Sequence, residues 1–171
     1  MSVTAPFGLG VAGQTRSDEV EAALIAFLKT QLANAGVTDI AALTMEDLDE
    51  ATDDIITQPP AVRIVFANEN FEPAADGGYL DYRSQAEYVA LVGAERPSTM
   101  DVERAAAQGV FESAKNTLAG ARLSLPSNQD GAIVRLRSSS LFQMKENGTW
   151  YAIRFAVESF TQFAANIGTI R

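Results

Sequence analysis

The runs AIVRLRSSSLFQMKE, from Ala132, and WYAIRFAVESFTQF, from Trp150, stand on either side of Asn147-Gly148. Asn-Gly between two strand-like runs is the strongest short hairpin signal, because both residues accept the positive φ of a turn that matches strand twist. In the second run Tyr151, Ile153, Phe155 and Val157 share one side, and Arg154 and Glu158 share the other. This commits the last third of the chain to an antiparallel hairpin.

Upstream, AVRIVF at 61–66 reads as a short strand with Val62, Ile64 and Phe66 on one face. The twelve residues ANENFEPAADGG at 67–78 read as a loop, and YLDYRSQAEYVALVG from Tyr79 as a long alternating strand. Two helices are expected. The first, 16–35, is opened by the capping box Thr15-Arg-Ser-Asp18, carries Val20, Leu24, Phe27, Leu28 and Leu32 at three- and four-residue spacing, and stops at Gly36. The second is capped by Ser98-Thr-Met-Asp101 and stops at Gly120. Its small-residue face of Val102, Ala105, Ala106, Gly109, Val110 and Ser113 predicts close packing on the sheet. A short acidic helix is expected around 45–51. The order predicts an α+β fold: a single, mostly antiparallel sheet of about four strands (α-β-β-α-β-β), with two helices packed on one face. Residues 1–14 read as a flexible arm, 15–165 as one domain and 166–171 as a tail.

Composition removes most chemistry. A chain of 171 residues, 47% hydrophobic and 20% charged, is of ordinary globular make-up. With no histidine and no cysteine it cannot build a Ser-His-Asp triad, a thiol nucleophile or a thiolate or imidazole zinc site. No apolar run reaches the roughly 18 residues of a membrane span, and no basic stretch precedes an apolar one as in a signal peptide. Asp81 and Glu87 lie six residues apart, about 20 Å along a strand, too far for an acid/base pair within it. Asp101 and Glu103 sit where acids serve a helix start. Asp47, Asp49 and Asp53 fail the EF-hand template, because Thr52 and Gln58 occupy the positions that need Gly and Glu. The stretch GLGVAG at 8–13 spells the dinucleotide fingerprint without its context: only seven residues precede it, Pro6 among them, and Asp39 reads as following a helix stop, not a strand. No catalytic, cofactor or metal site is expected.

Charge is uneven. The total is −9, and between Lys29 and Arg63 seven acids stand with no base. From Arg122 onward six bases face Asp130, Glu146 and Glu158. This balance disfavours a DNA-binding role and suits association through complementary surfaces.

Taken in order, the N-terminal helix, the strand entry Pro60-Ala61-Val62, the YRSQAEYVALVG strand, the helix ending Leu118-Ala-Gly-Ala-Arg122 and the final WYAIRFAVESF strand resemble the tail-terminator proteins of Mu-like phages and prophages. The resemblance spans roughly 15–160 and implies a structural virion protein with no enzymatic activity. It implies a hexameric ring in the neck of the tail that caps the tail tube, stops its polymerisation and presents a surface to the head–tail connector protein. Such a ring assembles in the host cytoplasm, lets DNA pass without specific binding and involves no membrane. In that setting Glu46, Asp47, Asp49, Glu50, Asp53 and Asp54 are candidates for a ring lumen or interface, an outward solvated face being the plainer reading. Asn68, Glu69, Asn70, Phe71 and Glu72 form a candidate loop for gripping a neighbour or the tube, with Phe71 either reaching outward or folding onto its own core. The alternative is a non-enzymatic adaptor of a phage or bacterium that pairs a partner strand along an exposed sheet edge.

Overall fold

The first helix, α1 (Arg16–Leu32), places Val20, Leu24, Leu28 and Leu32 four residues apart, and all four are buried. The computed structural model describes residues 16–44, 59–73, 81–95, 100–126, 128–145 and 148–162. A single 3-10 turn, Ala33–Ala35, ends α1, and Gly36 closes it in the left-handed region at φ 75°. Only glycine holds that conformation without steric cost. The Gly36 and Val37 N–H groups return to the Ala33 and Leu32 carbonyls, so the frayed end is satisfied.

Six strands follow in a curled, mixed half-barrel: β1 (Asp39–Leu43), β2 (Ala61–Pro73), β3 (Asp81–Glu95), then α2 (Met100–Leu118), β4 (Arg122–Leu125), β5 (Asn128–Lys145) and β6 (Gly148–Gln162). Their order across the sheet is β1-β2-β3-β6-β5-β4. The expected four-stranded, mostly antiparallel sheet is therefore corrected. Among the described residues the helices number two, but β1 adds a strand parallel to β2, and β4 adds one antiparallel to β5. Both were invisible for a physical reason. DIAAL and RLSL are too short to show a period, and DIAAL is rich in alanine, a poor strand former. Pairing with longer neighbours makes them strands. Asp39, read as lying outside any strand, opens β1.

Two further readings change. Residues 67–73 are not loop: β2 continues through Pro73 after a bulge between Phe66 and Asn68. The hairpin pairs Lys145 with Gly148, so Gly148 already belongs to β6 and not to the turn. The arm with GLGVAG and the short helix expected at 45–51 lie outside the described residues.

The main core fills the space between the helices and one sheet face. Val62, Ile64, Tyr88, Ala90, Val92, Ile153, Phe155 and Val157 point into it, met by α1 and by Ala114 and Leu118 of α2. Tyr88 lies between Phe66, edge-on at 5.5 Å, and Phe155, stacked at 5.8 Å. Phe111 of α2 stacks on Tyr151 at 4.5 Å.

Gly109 does not mark close packing. It is exposed, and a methyl group built on it meets nothing within 4 Å. Gly109→Ala is therefore expected to stabilise the fold by about 1 kcal/mol, the ordinary glycine penalty inside a helix. Urea unfolding measures it directly.

The first turn of α1 carries acids against the β2–β3 pair. Burial, and then the neighbouring Asp18, push the Glu21 carboxyl above its usual value. Burial, followed by the charges of Glu21, Glu69 and Asp18, raises the Tyr88 hydroxyl as well. A carboxyl raised in the folded state contributes stability that is fully present below its unfolded value and is lost as pH rises through the folded one. Glu21→Gln removes that loss. Its urea midpoint should exceed the parent's at pH 7 and converge with it near pH 4.

Candidate assembly surface

The outer strands cover the inner ones only in part. β1 pairs with β2 over Ala61–Val65, and β4 pairs with β5 over Asn128–Ile133. One further bond, from the Val134 N–H to the Ala121 carbonyl at 2.8 Å, closes the β4 side. Among the described residues, β2 from Phe66 to Pro73 and β5 from Arg135 to Lys145 are paired on one side alone. A strand edge of this kind presents unpaired N–H and C=O groups to whatever can align with them.

The β5 edge is exposed without interruption from Arg135 to Phe142. Leu136 is 36% exposed, Leu141 54% and Phe142 45%. Register shifts at Arg137 and Phe142 interrupt the pairing with β6. They leave Leu136 and Leu141 opposite Phe155 and Tyr151, on the helix-bearing side, and Arg135, Ser138 and Ser140 opposite Ala156, Arg154 and Ala152, on the helix-free side. None of these residues was singled out from sequence. The signal was there in LRSSSLF, where three serines replace the apolar alternation while leucine and phenylalanine remain.

The candidate contact residues Asn68, Glu69, Asn70, Phe71 and Glu72 lie on the open stretch of β2, not in a loop. Glu69 and Phe71 stand opposite Ala86 and Ser84, on the helix side, whereas Asn68, Asn70 and Glu72 stand opposite Glu87, Gln85 and Arg83 on the other. The buried Ser84 hydroxyl donates to the Glu69 carboxylate, which fixes this part of the strand. Asn70 Nδ2 reaches Asn68 Oδ1 at 3.5 Å along the free face. Phe71 is 45% exposed, so its ring is only half covered by its own chain. The candidate lumen acids Glu46, Asp47, Asp49, Glu50, Asp53 and Asp54 lie outside the described residues.

The helix-free face divides in two. At one end Ala61, Val65, Leu91, Trp150 and Ala152 make a second buried cluster. Beside it Arg63 grips Asp39 with two guanidinium hydrogen bonds at 2.6 and 2.9 Å, clamping β1 to β2. At the other end the face is polar: Gln85 Nε2 donates to Glu158 at 3.2 Å, and Arg135 approaches the same carboxylate at 3.4 Å. Asp81 and Glu87 pair across β6 with Gln162 and Ala156, which brings no second acid opposite either. Among the described residues no three acidic, histidine or cysteine side chains gather as metal ligands, and no helix is long and apolar enough to cross a membrane.

Among the described residues the α+β half-barrel leaves two stretches of its sheet, on β2 and β5, paired on one side alone. Its fold is similar to that of a chain in the virion of a native gene transfer agent particle, with a TM-score of 0.52 at 15% identity, over 85% of this chain and 96% of that one. No family model and no curated protein matches the sequence.

Proposed function

We propose that this chain is a structural, non-enzymatic protein of a phage-like virion, and within it a tail terminator. The observation that carries the reading is the fold shared with a virion chain over nearly that chain's whole length. The element order that resembles tail terminators and the two open sheet margins support it. In this role residues 15–165 act as one unit, and copies close a ring, a hexamer on the resemblance, in the neck of the tail. One side of the ring stops the tail tube protein from adding further subunits, and the other receives the connector protein. Glu46, Asp47, Asp49, Glu50, Asp53 and Asp54 line the lumen in this reading and repel passing DNA phosphates, where bases would retain them. Assembly takes place in the host cytoplasm before the protein enters the virion.

A preparation of particles lacking this protein tests the role. Electron micrographs should show overlong or headless tails. Normal tails joined to heads overturn it. The open β5 margin favours one other reading, an adaptor that takes a partner's strand. A stable monomer that binds peptide along β5 and is indifferent to tail tubes would select that alternative.

A further inference from the structure

The two open stretches differ in charge. Phe66–Pro73 carries Glu69 and Glu72 with no base, and Arg135–Lys145 carries Arg135, Arg137 and Lys145 with no acid. Their faces also correspond. On the helix side β2 offers Phe71, and β5 offers Leu136 and Leu141; on the helix-free side β2 offers Glu72, and β5 offers Arg135. From this we infer that copies of the chain join by sheet continuation, the β5 margin of one copy adding to the β2 margin of the next. The inference rests on the ring reading above and specifies its interface.

The partner is a second copy because each margin supplies what the other lacks. Joined in one continuous sheet, Phe71 meets Leu136 and Glu72 meets Arg135, each pair on a common face. Bulges interrupt both stretches, at Ala67 on β2 and at Arg137 and Phe142 on β5. Such irregularities refuse a long, indiscriminate strand and admit a short one in a set register. The contact is heterologous, one margin meeting a different margin, so it either closes a ring or continues as a filament.

Position along the strands bears on which. Measured against β6, the open stretch of β2 projects onto Phe155–Thr161 and that of β5 onto Gly148–Ala156. The centres are offset by about six residues, roughly 20 Å along the strand. A closed sheet of tilted strands requires a stagger from strand to strand, and an offset between the two joining margins supplies it.

Because the chain has no cysteine, introduced pairs report contact without background. Each of Ser138→Cys and Ser140→Cys is combined with each of Asn68→Cys and Asn70→Cys, all four positions lying on the helix-free side. Ser139→Cys, opposite Ile153 on the helix side, serves as the control. The proteins are assembled alone and on purified tail tubes, oxidised, and separated on denaturing gels, with negative-stain images of the same samples. The expected result is a ladder of covalent multimers from at least one double variant, ending at the ring size, with none from the Ser139 control or from single variants. Rings in the images without a ladder from any pair overturn the sheet-continuation interface and leave the ring reading standing. Covalent dimers from Ser138→Cys or Ser140→Cys alone overturn it too, since β5 would then meet β5. A ladder accompanied by filaments and no rings supports the interface and overturns the ring. Monomers under every condition overturn both.

Discussion

Gly93→Ala should lower the melting temperature by roughly 2–12 °C. Gly93 pairs directly with Trp150 across β3 and β6. A Cβ at that position would enter the indole itself, coming within 2.7 Å of Cε2 and nearer still to the benzo ring. Trp150 is fully buried, in a cluster bounded by Ala61, Val65, Leu91 and Ala152, so the ring has little room to withdraw. Overfilling a packed site costs about 1–3 kcal/mol, and each kcal/mol moves the midpoint by about 2–4 °C for a chain of this size. Trp150→Leu alone removes a large buried ring and should cost about 3 kcal/mol by the usual large-to-small penalty. The double variant decides the cause. If the glycine exists to receive the indole, adding Gly93→Ala to Trp150→Leu should cost far less than adding it to the parent, a non-additivity of at least 1 kcal/mol. Additive losses in calorimetry would show that Gly93 serves the backbone instead.

The second large effect concerns assembly and leaves the monomer intact. Glu72→Arg places a base on the β2 margin, facing Arg135 of the next copy in the joined sheet. Like charges across an interface cost several kcal/mol, and each 1.4 kcal/mol is tenfold in affinity. In a closed ring every junction carries the change. Assembly should therefore weaken at least tenfold per junction by analytical ultracentrifugation, with the monomer's melting unchanged because Glu72 is exposed. Combining it with Arg135→Glu restores opposite charges and should restore assembly. If the double variant remains as defective as the single, the two residues do not face one another.

Where a local signal was repeated often enough to be heard, the sequence spoke plainly. The i, i+4 series Val20, Leu24, Leu28, Leu32 announced α1, and the alternation through Tyr151, Ile153, Phe155 and Val157 announced β6. Elements that exist only because a neighbour holds them stayed silent. β1 is five residues long, and what fixes it is a parallel ladder to β2 and the Asp39–Arg63 clamp, a contact between positions 24 apart. β4 is four residues long and borrows its register from β5. Gly109 misled because close approach is only one reason for a glycine in a helix, and a sequence does not show what lies opposite. The assembly surface was half legible. The turn formers at 67–73 read as loop, yet pairing with β3 extends these residues as strand, and their exposure comes from the short reach of β1. The complementary β5 margin is hard to see in sequence because its two bulges shift the facing of successive residues and leave no clear trace in composition.

The lone tryptophan has a practical corollary. The indole sits sealed in the small cluster remote from the helices, its Nε1 without a hydrogen-bond partner among the described residues, and the residue across from it on β5 is Gln143, just beyond the bulge at Phe142. Its emission is thus a one-site optical gauge of the helix-free side, dark to events around α1 and α2. Docking of another subunit along β5 should register as a change in intensity or wavelength with no label attached.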